Sequence, residues 1–436
     1  MSTLPERRYA VLPGGLERPV VDHEVTLVRD VERWLTTDVD PVEFPYSAVL
    51  AEFLQVGKHF VAKDSLAVLD HARARLPAGT RPGMPRLRRF LDCALDKWDG
   101  RYDYHTYLGL PILAAPADLT PDEAARHRDR RVLLLLTDLL RFELAADTGA
   151  TGLLPMQRPD QDRLARRLRL AVRAARPALA RLSPGATLTA TDPVTSAAEL
   201  CAAVEPTAPE RLDLRLSMLP VYVIHDEYLF IRVLQAYEST FALLAVLLRA
   251  ARRALAGGDA VTAADRLTGA TEALTGSATL FSLTATMQPD SFRTFRAYTE
   301  GASAIQSHNY KLVESLCRTP DADRLDGAAY RSAPPVRRRV LGGQPTLDEA
   351  YRRAVDGGLL DRTGRALVAG RMRGFAEALL TWRRTHHRLA VRMLGERTGT
   401  GYTEGTPYLA AARSVPVFRT VDAVTPAQAD EPSPPA

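Results

Sequence analysis

The stretch Pro220–Gly257, PVYVIHDEYLFIRVLQAYESTFALLAVLLRAARRALAG, decides the fold. Pro220 breaks the segment before it, and the Gly257-Gly258 pair stops the chain from continuing as helix. Between these two breaks the chain, apolar over much of its length, reads as one long helix. Its longest apolar run, FALLAVLL at 241–248, is broken by arginine well before the ~20 residues of a membrane span. The expectation is a soluble, cytoplasmic protein with no membrane partner.

Outward from this helix the pattern stays helical. Helices are predicted over about 121–146 (with VLLLLTDLLRFEL), 160–182, 260–286, 300–317 and 364–394. Pro177 should kink or shorten the second of them. Residues 318–345 read as a long loop, and Thr346 with Glu349 has the spacing of a capping box. No segment alternates with period two between turn signals, and no phosphate-cradling glycine motif follows a strand. The fold class is therefore all-α: a helical bundle with an additional helical N-terminal half. The predicted divisions are an arm at 1–40, a helical region at 41–200, a main helical domain at 201–420 and a disordered tail at 421–436. The loop-like run SPGATLTATDPVTSAA, 183–198, marks the main boundary.

Composition removes several classes of function. The 436 residues are 46% hydrophobic and 25% charged, which is ordinary for a globular protein. The three cysteines, Cys93, Cys201 and Cys317, are too scattered for a disulfide framework or a zinc site. The net charge of +5 comes from 57 basic side chains, of which four are lysines. They are interleaved with acids rather than clustered, so no nucleic-acid partner is expected.

Four places carry candidate chemistry. In TWRRTHHRLAVRMLG, 381–395, His386 shares an apolar helix face with Leu379, Trp382, Leu389 and Met393. It is either a core histidine or an axial haem ligand, and periodicity does not separate it from His387. In VIHDEYLFI, Asp226 and Glu227 suit a helix N-terminus, whereas an imidazole at His225 gains nothing from that position. Arg296, among Phe292 and Phe295, is a snorkelling surface residue or a carboxylate clamp. The loop RTGTGYTEGTP, 397–407, is a linker or a main-chain cradle for a small polar ligand.

Taken in order, these pieces resemble the haem-dependent tryptophan 2,3-dioxygenase superfamily over roughly residues 218–412. The matching runs are His225-Asp226-Glu227-Tyr228-Leu229-Phe230-Ile231, then Phe292-Arg293-Thr294-Phe295-Arg296 with Gln306-Ser307, then Trp382-Arg383-Arg384-Thr385-His386 and Gly399-Thr400-Gly401. The resemblance implies haem b, with O2 as co-substrate, and a haem-binding catalytic domain at 201–420. It implies that His386 is the axial iron ligand, with Trp382 beside the cofactor, and that His225 is the distal catalytic histidine. It implies that Arg296 pairs with the carboxylate of an aromatic amino-acid substrate. Thr400, Gly401, Tyr402, Phe292 and Val221 complete the substrate site. Tyr402 stands where the family has a small residue, Val221 where it has a phenylalanine, and Phe292 where it has a tyrosine. Tyr102, Tyr104 and Tyr107 echo the family's YxxYL cluster, as pocket residues or as core and interface packing. The implied activity is O2 insertion at the indole C2–C3 bond of tryptophan or a derivative, giving an N-formylkynurenine-type product, by a homo-oligomer (dimer or tetramer). The alternatives are a monooxygenase or rearranging enzyme of secondary metabolism and a non-catalytic helical binding protein.

Overall fold

The computed structural model describes residues 9–12, 16–19, 23–37, 39–77, 83–101, 103–116, 118–394 and 406–421. They form an all-α body around the helix His225–Ala256. Asp226 and Glu227 sit in its first turn, and the Gly257 N–H closes onto the Arg253 and Ala254 carbonyls. The helix is long and apolar enough to cross a bilayer, but 78% of its apolar window is buried inside the fold. Helices Pro121–Asp147, Ala260–Gly276, His308–Cys317 and Leu347–Asp356 pack around it. The long helix Arg362–Leu394 lies against Ala260–Gly276.

Local chemistry fixes the helix starts. Thr120 with Glu123, Thr207 with Glu210, and Thr346 with Glu349 each form a reciprocal capping box. Pro177 does not end its helix, which runs from Gln161 to Leu182 with Ala175, Ala178 and Leu179 buried around the proline.

Several boundaries differ from expectation. The N-terminal segment is not all arm. Tyr9–Leu12 pairs antiparallel with Leu16–Pro19, and the helix His23–Leu35 buries Leu27, Val31 and Trp34. The stretch predicted as helix over 300–317 divides into Pro289–Thr299, a 3-10 turn at Ala304–Gln306 and His308–Cys317. The expected loop at 318–345 holds three short helices, Ala322–Asp326, Ala328–Arg331 and Pro334–Leu341. The expected disordered tail lies, from residue 422, outside the described residues.

The loop at 183–198 does not divide the hydrophobic cores. One core runs from Tyr104 to Val421 and takes in both sides of that loop. The second spans Leu27 to Ile112 and adds only Leu216 and Leu219. Polarity in the loop reflects its exposure, not a break in packing. The two cores meet at the residues leading into the central helix. Lys58 N–H donates to the Pro220 carbonyl at 2.8 Å, and His59 N–H to that of Val221 at 3.2 Å. Gly57, at φ +86°, allows this approach, since a Cβ there would lie 2.6 Å from the Tyr222 Cα. Alongside, the Lys58 ammonium pairs with Asp96 at 2.8 Å, both sealed from solvent.

Candidate functional site

A cavity of about 240 Å3 opens between the central helix, helix Pro289–Thr299 and the C-terminal half of helix Arg362–Leu394. The central helix presents Phe230, Leu234, Tyr237, Glu238 and Phe241 to it. That spacing of four, seven, eight and eleven residues is one helical stripe.

His386 and Trp382 line the cavity one turn apart, with ring centroids 5.1 Å apart. Burial, helped by the neighbouring His387, pushes the His386 pKa down to about 4, so its imidazole is neutral at ordinary pH. Trp382 sits among Tyr237, Phe241, Phe281 and Tyr310 at centroid distances of 5.3–5.8 Å. Its buried Nε1–H has no hydrogen-bond partner among the described residues. His387 is not part of the described lining.

Arg296 and Phe292 also reach the cavity, as does Phe295. Phe230, Phe292 and Phe295 form a mutual aromatic cluster at 5.3–5.6 Å. At another side, Arg383, Arg324 and Lys311 line the wall around the buried Glu314. Arg324 donates to Glu314 at 2.5 and 2.8 Å, and Arg383 donates to the Tyr310 hydroxyl at 2.8 Å. Burial alone would raise the Glu314 pKa, but Lys311, Arg324 and Arg383 hold it well below the usual carboxylate range.

The N-terminal half supplies part of the wall. Tyr104 and Tyr107, on the short helix Tyr104–Tyr107, both line the cavity. The Tyr107 hydroxyl donates to Glu227 at 3.0 Å, and the Tyr104 hydroxyl is a partner of Glu238. The Gln306 side-chain carbonyl accepts from the backbone N–H groups of Tyr104 and Ser303, at 3.0 and 3.1 Å. Ser307 donates to Glu238 at 2.5 Å. The Gln-Ser pair thus fastens the tyrosine segment and the glutamate together. Burial pushes the Glu238 pKa up to about 7 against the lowering effect of these donors. Tyr102 lies outside the described residues.

His225 is not at the cavity, contrary to the sequence reading. It is 1% exposed, with Nε2 2.9 Å from the Glu143 carboxylate and its ring against Phe142. Glu143 also binds Arg167 at 3.0 Å, and Arg167 in turn binds Asp226. The cause is helical geometry: Phe230 is five residues on, so His225 points ~140° away from the cavity stripe. Val221, too, lies off the described lining. It precedes the helix, is buried, and donates its N–H to Glu227 at 2.7 Å. Thr400, Gly401 and Tyr402 fall outside the described residues. The chain on either side of them reaches the cavity, through Leu394 and Leu409.

Sequence reasoning passed over Leu234, Glu238, Tyr310 and the Glu314 cluster. The stripe starting at Phe230 was the available signal for the first two.

Residues 215–332 match the family model described as tryptophan 2,3-dioxygenase. A tryptophan 2,3-dioxygenase of Nocardioides sp. is 30% identical over 215 residues, covering 42% of this chain and 79% of the relative. One from Anaeromyxobacter sp. is 28% identical over 225 residues (44% and 84%), and one from Bordetella pertussis 26% over 238 residues (46% and 82%). With the matched region carrying the central helix and the Arg296 segment of the cavity, the chain belongs to the tryptophan 2,3-dioxygenase family.

Proposed function

We propose that the protein is a haem-dependent oxygenase acting on tryptophan or a tryptophan derivative. The observation that carries this reading is a single cavity holding a neutral, half-buried imidazole, His386, and a guanidinium, Arg296, within aromatic walls.

The residues present fit a haem. A neutral imidazole on a rigid helix offers the lone pair that an iron ligand needs. His386 would be that ligand, with Trp382, Phe281 and Phe241 against the macrocycle. The orphaned Trp382 Nε1–H supplies an unused donor in the same wall. Bound haem b supplies activation of O2, chemistry that no side chain here performs.

This chain's residues then do the rest. Arg296 pairs with the substrate carboxylate in a charge-assisted contact. Phe230, Phe292 and Phe295 hold the aromatic ring in a dry environment. Tyr104 and Tyr107 close the opposite wall from within the same chain. The segment carrying Thr400, Gly401 and Tyr402 joins two cavity-lining residues, which supports a role at the amino-acid end of the substrate. The product of full family chemistry is of the N-formylkynurenine type, formed by a cytoplasmic homo-oligomer in which each chain carries its own tyrosine wall.

A second reading, insertion of a single oxygen atom, is favoured by one observation. Among the described lining residues the only histidine is His386, and the central helix contributes Phe230, Leu234, Tyr237, Glu238 and Phe241 to the wall. The test is an absorption spectrum of reduced, haem-loaded protein with and without L-tryptophan, followed by product mass under 18O2. Two labelled atoms support dioxygenation, and one supports the second reading. No spectral change with any aromatic amino acid refutes both.

A further inference from the structure

Glu238 is the one carboxyl among the described residues of the cavity wall. It is 3% exposed and held from three directions. Ser307 donates to Oε1 at 2.5 Å, Asn309 donates to Oε2 at 3.0 Å, and the Tyr104 hydroxyl is its third partner. An ionised carboxylate offers about four acceptor positions. Three donors leave one, in a cavity whose other charged side chains are cations.

Three of those cations are engaged at the Glu314 side of the wall. Arg324 and Arg383 bind Glu314, and Lys311 lies over the Tyr310 and Tyr330 rings as well as near that same carboxylate. The elements packed on Glu238 bring it hydroxyl and amide donors: Tyr104 from the N-terminal half, Ser307 and Asn309 from the start of helix His308–Cys317. A buried acceptor with one position open discriminates strongly, because a ligand that lacks the matching hydrogen leaves it unpaired.

We propose that Glu238 is the specificity-determining acceptor of this cavity, taking a hydrogen bond from a ring-borne donor of the aromatic amino acid, an indole N–H or a phenol O–H. This rests on the reading of the cavity as an aromatic amino-acid site and adds which aromatic rings it selects. The carboxylate form does the accepting. Since burial places the Glu238 pKa at about 7, the preference for a donor-bearing ring grows as pH rises through neutrality. Tyr104, whose own pKa burial drives well above the usual phenol value, stays protonated throughout and keeps donating.

The experiment is calorimetric binding to the haem-loaded full chain of L-tryptophan and of its benzofuran isostere, in which oxygen replaces the ring N–H. The wild type should prefer tryptophan roughly ten-fold or more. That ratio should collapse on acidification below neutrality, and it should shrink and lose its pH dependence in Glu238→Gln. The wild-type pH series needs no variant, so it decides the matter even if Glu238→Gln folds poorly. Equal binding of the two ligands by the wild type overturns the proposal, and so does an undiminished, pH-dependent preference in a folded Glu238→Gln. Tight binding of both without discrimination spares the aromatic amino-acid reading, whereas binding of neither overturns both.

Discussion

The His225 imidazole and the Glu143 carboxylate lie 2.9 Å apart, both sealed from solvent, with Glu143 also held by Arg167. This pair ties the first turn of the central helix to helix Pro121–Asp147, while Arg167 and Asp226 bring in helix Gln161–Leu182. His225 and Asp226 thus help to fasten three helices.

His225→Ala should therefore cost stability. Removing one partner of a buried hydrogen bond costs about 1–3 kcal/mol. Urea denaturation should show the loss, while under the proposed function the folded variant still binds haem and tryptophan. Loss of tryptophan binding with unchanged stability would reinstate His225 as a substrate contact.

His386 and His387 should separate cleanly. His386→Ala removes the imidazole that faces the cavity, and haem affinity should fall roughly ten- to hundred-fold or more. His387→Ala should leave the absorption spectrum unchanged. Haem titration of the two purified variants makes the comparison.

Arg296→Met should weaken L-tryptophan binding roughly ten- to hundred-fold. Tryptophanamide, which lacks the carboxylate, should be nearly indifferent to the change. Equal losses for both ligands would mean that the arginine does not meet the carboxylate.

Glu227 makes stability depend on pH. It is buried and accepts from the Val221 and Tyr222 N–H groups and the Tyr107 hydroxyl, and burial pushes its pKa up to about 8 from the ordinary value of 4.5. The folded protein therefore holds a proton that the unfolded chain releases above about pH 4.5. The stabilisation from this group is full below that pH and is lost as pH rises through about 8. In Glu227→Gln the decline should flatten by an amount on the order of 5 kcal/mol. Urea midpoints of both proteins across this range give the difference.

The sequence showed the helical class because the central helix is apolar on every face and its neighbours carry punctuated starts such as Thr346 with Glu349. Short motifs pointed to His386, Trp382, Phe292 and Arg296, and the structure brings those four side chains to one cavity. His225 does not line that cavity, because a motif names residues without the face they occupy. A fixed hundred-degree step per residue, counted back from Phe230, separates the lock from the cavity. The loop at 183–198 does not mark where the two cores part, for a different reason. Loop composition reports contact with water, while core membership depends on partners far along the chain, such as Leu216 with the Leu27–Ile112 core. Glu238 was passed over because a lone acid in an apolar helix reads as a surface residue until its partners Ser307 and Asn309 are brought in from far along the chain.

The tyrosine pair rooted in Glu227 and Glu238 changes how this protein can be dissected. A fragment beginning near residue 200 would keep the region shared with its relatives but leave the chamber with one side missing and two buried acids stripped of their phenol donors. The leading half is therefore part of the chamber's own wall, and any shorter scaffold meant to reproduce this chamber has to carry those tyrosines along.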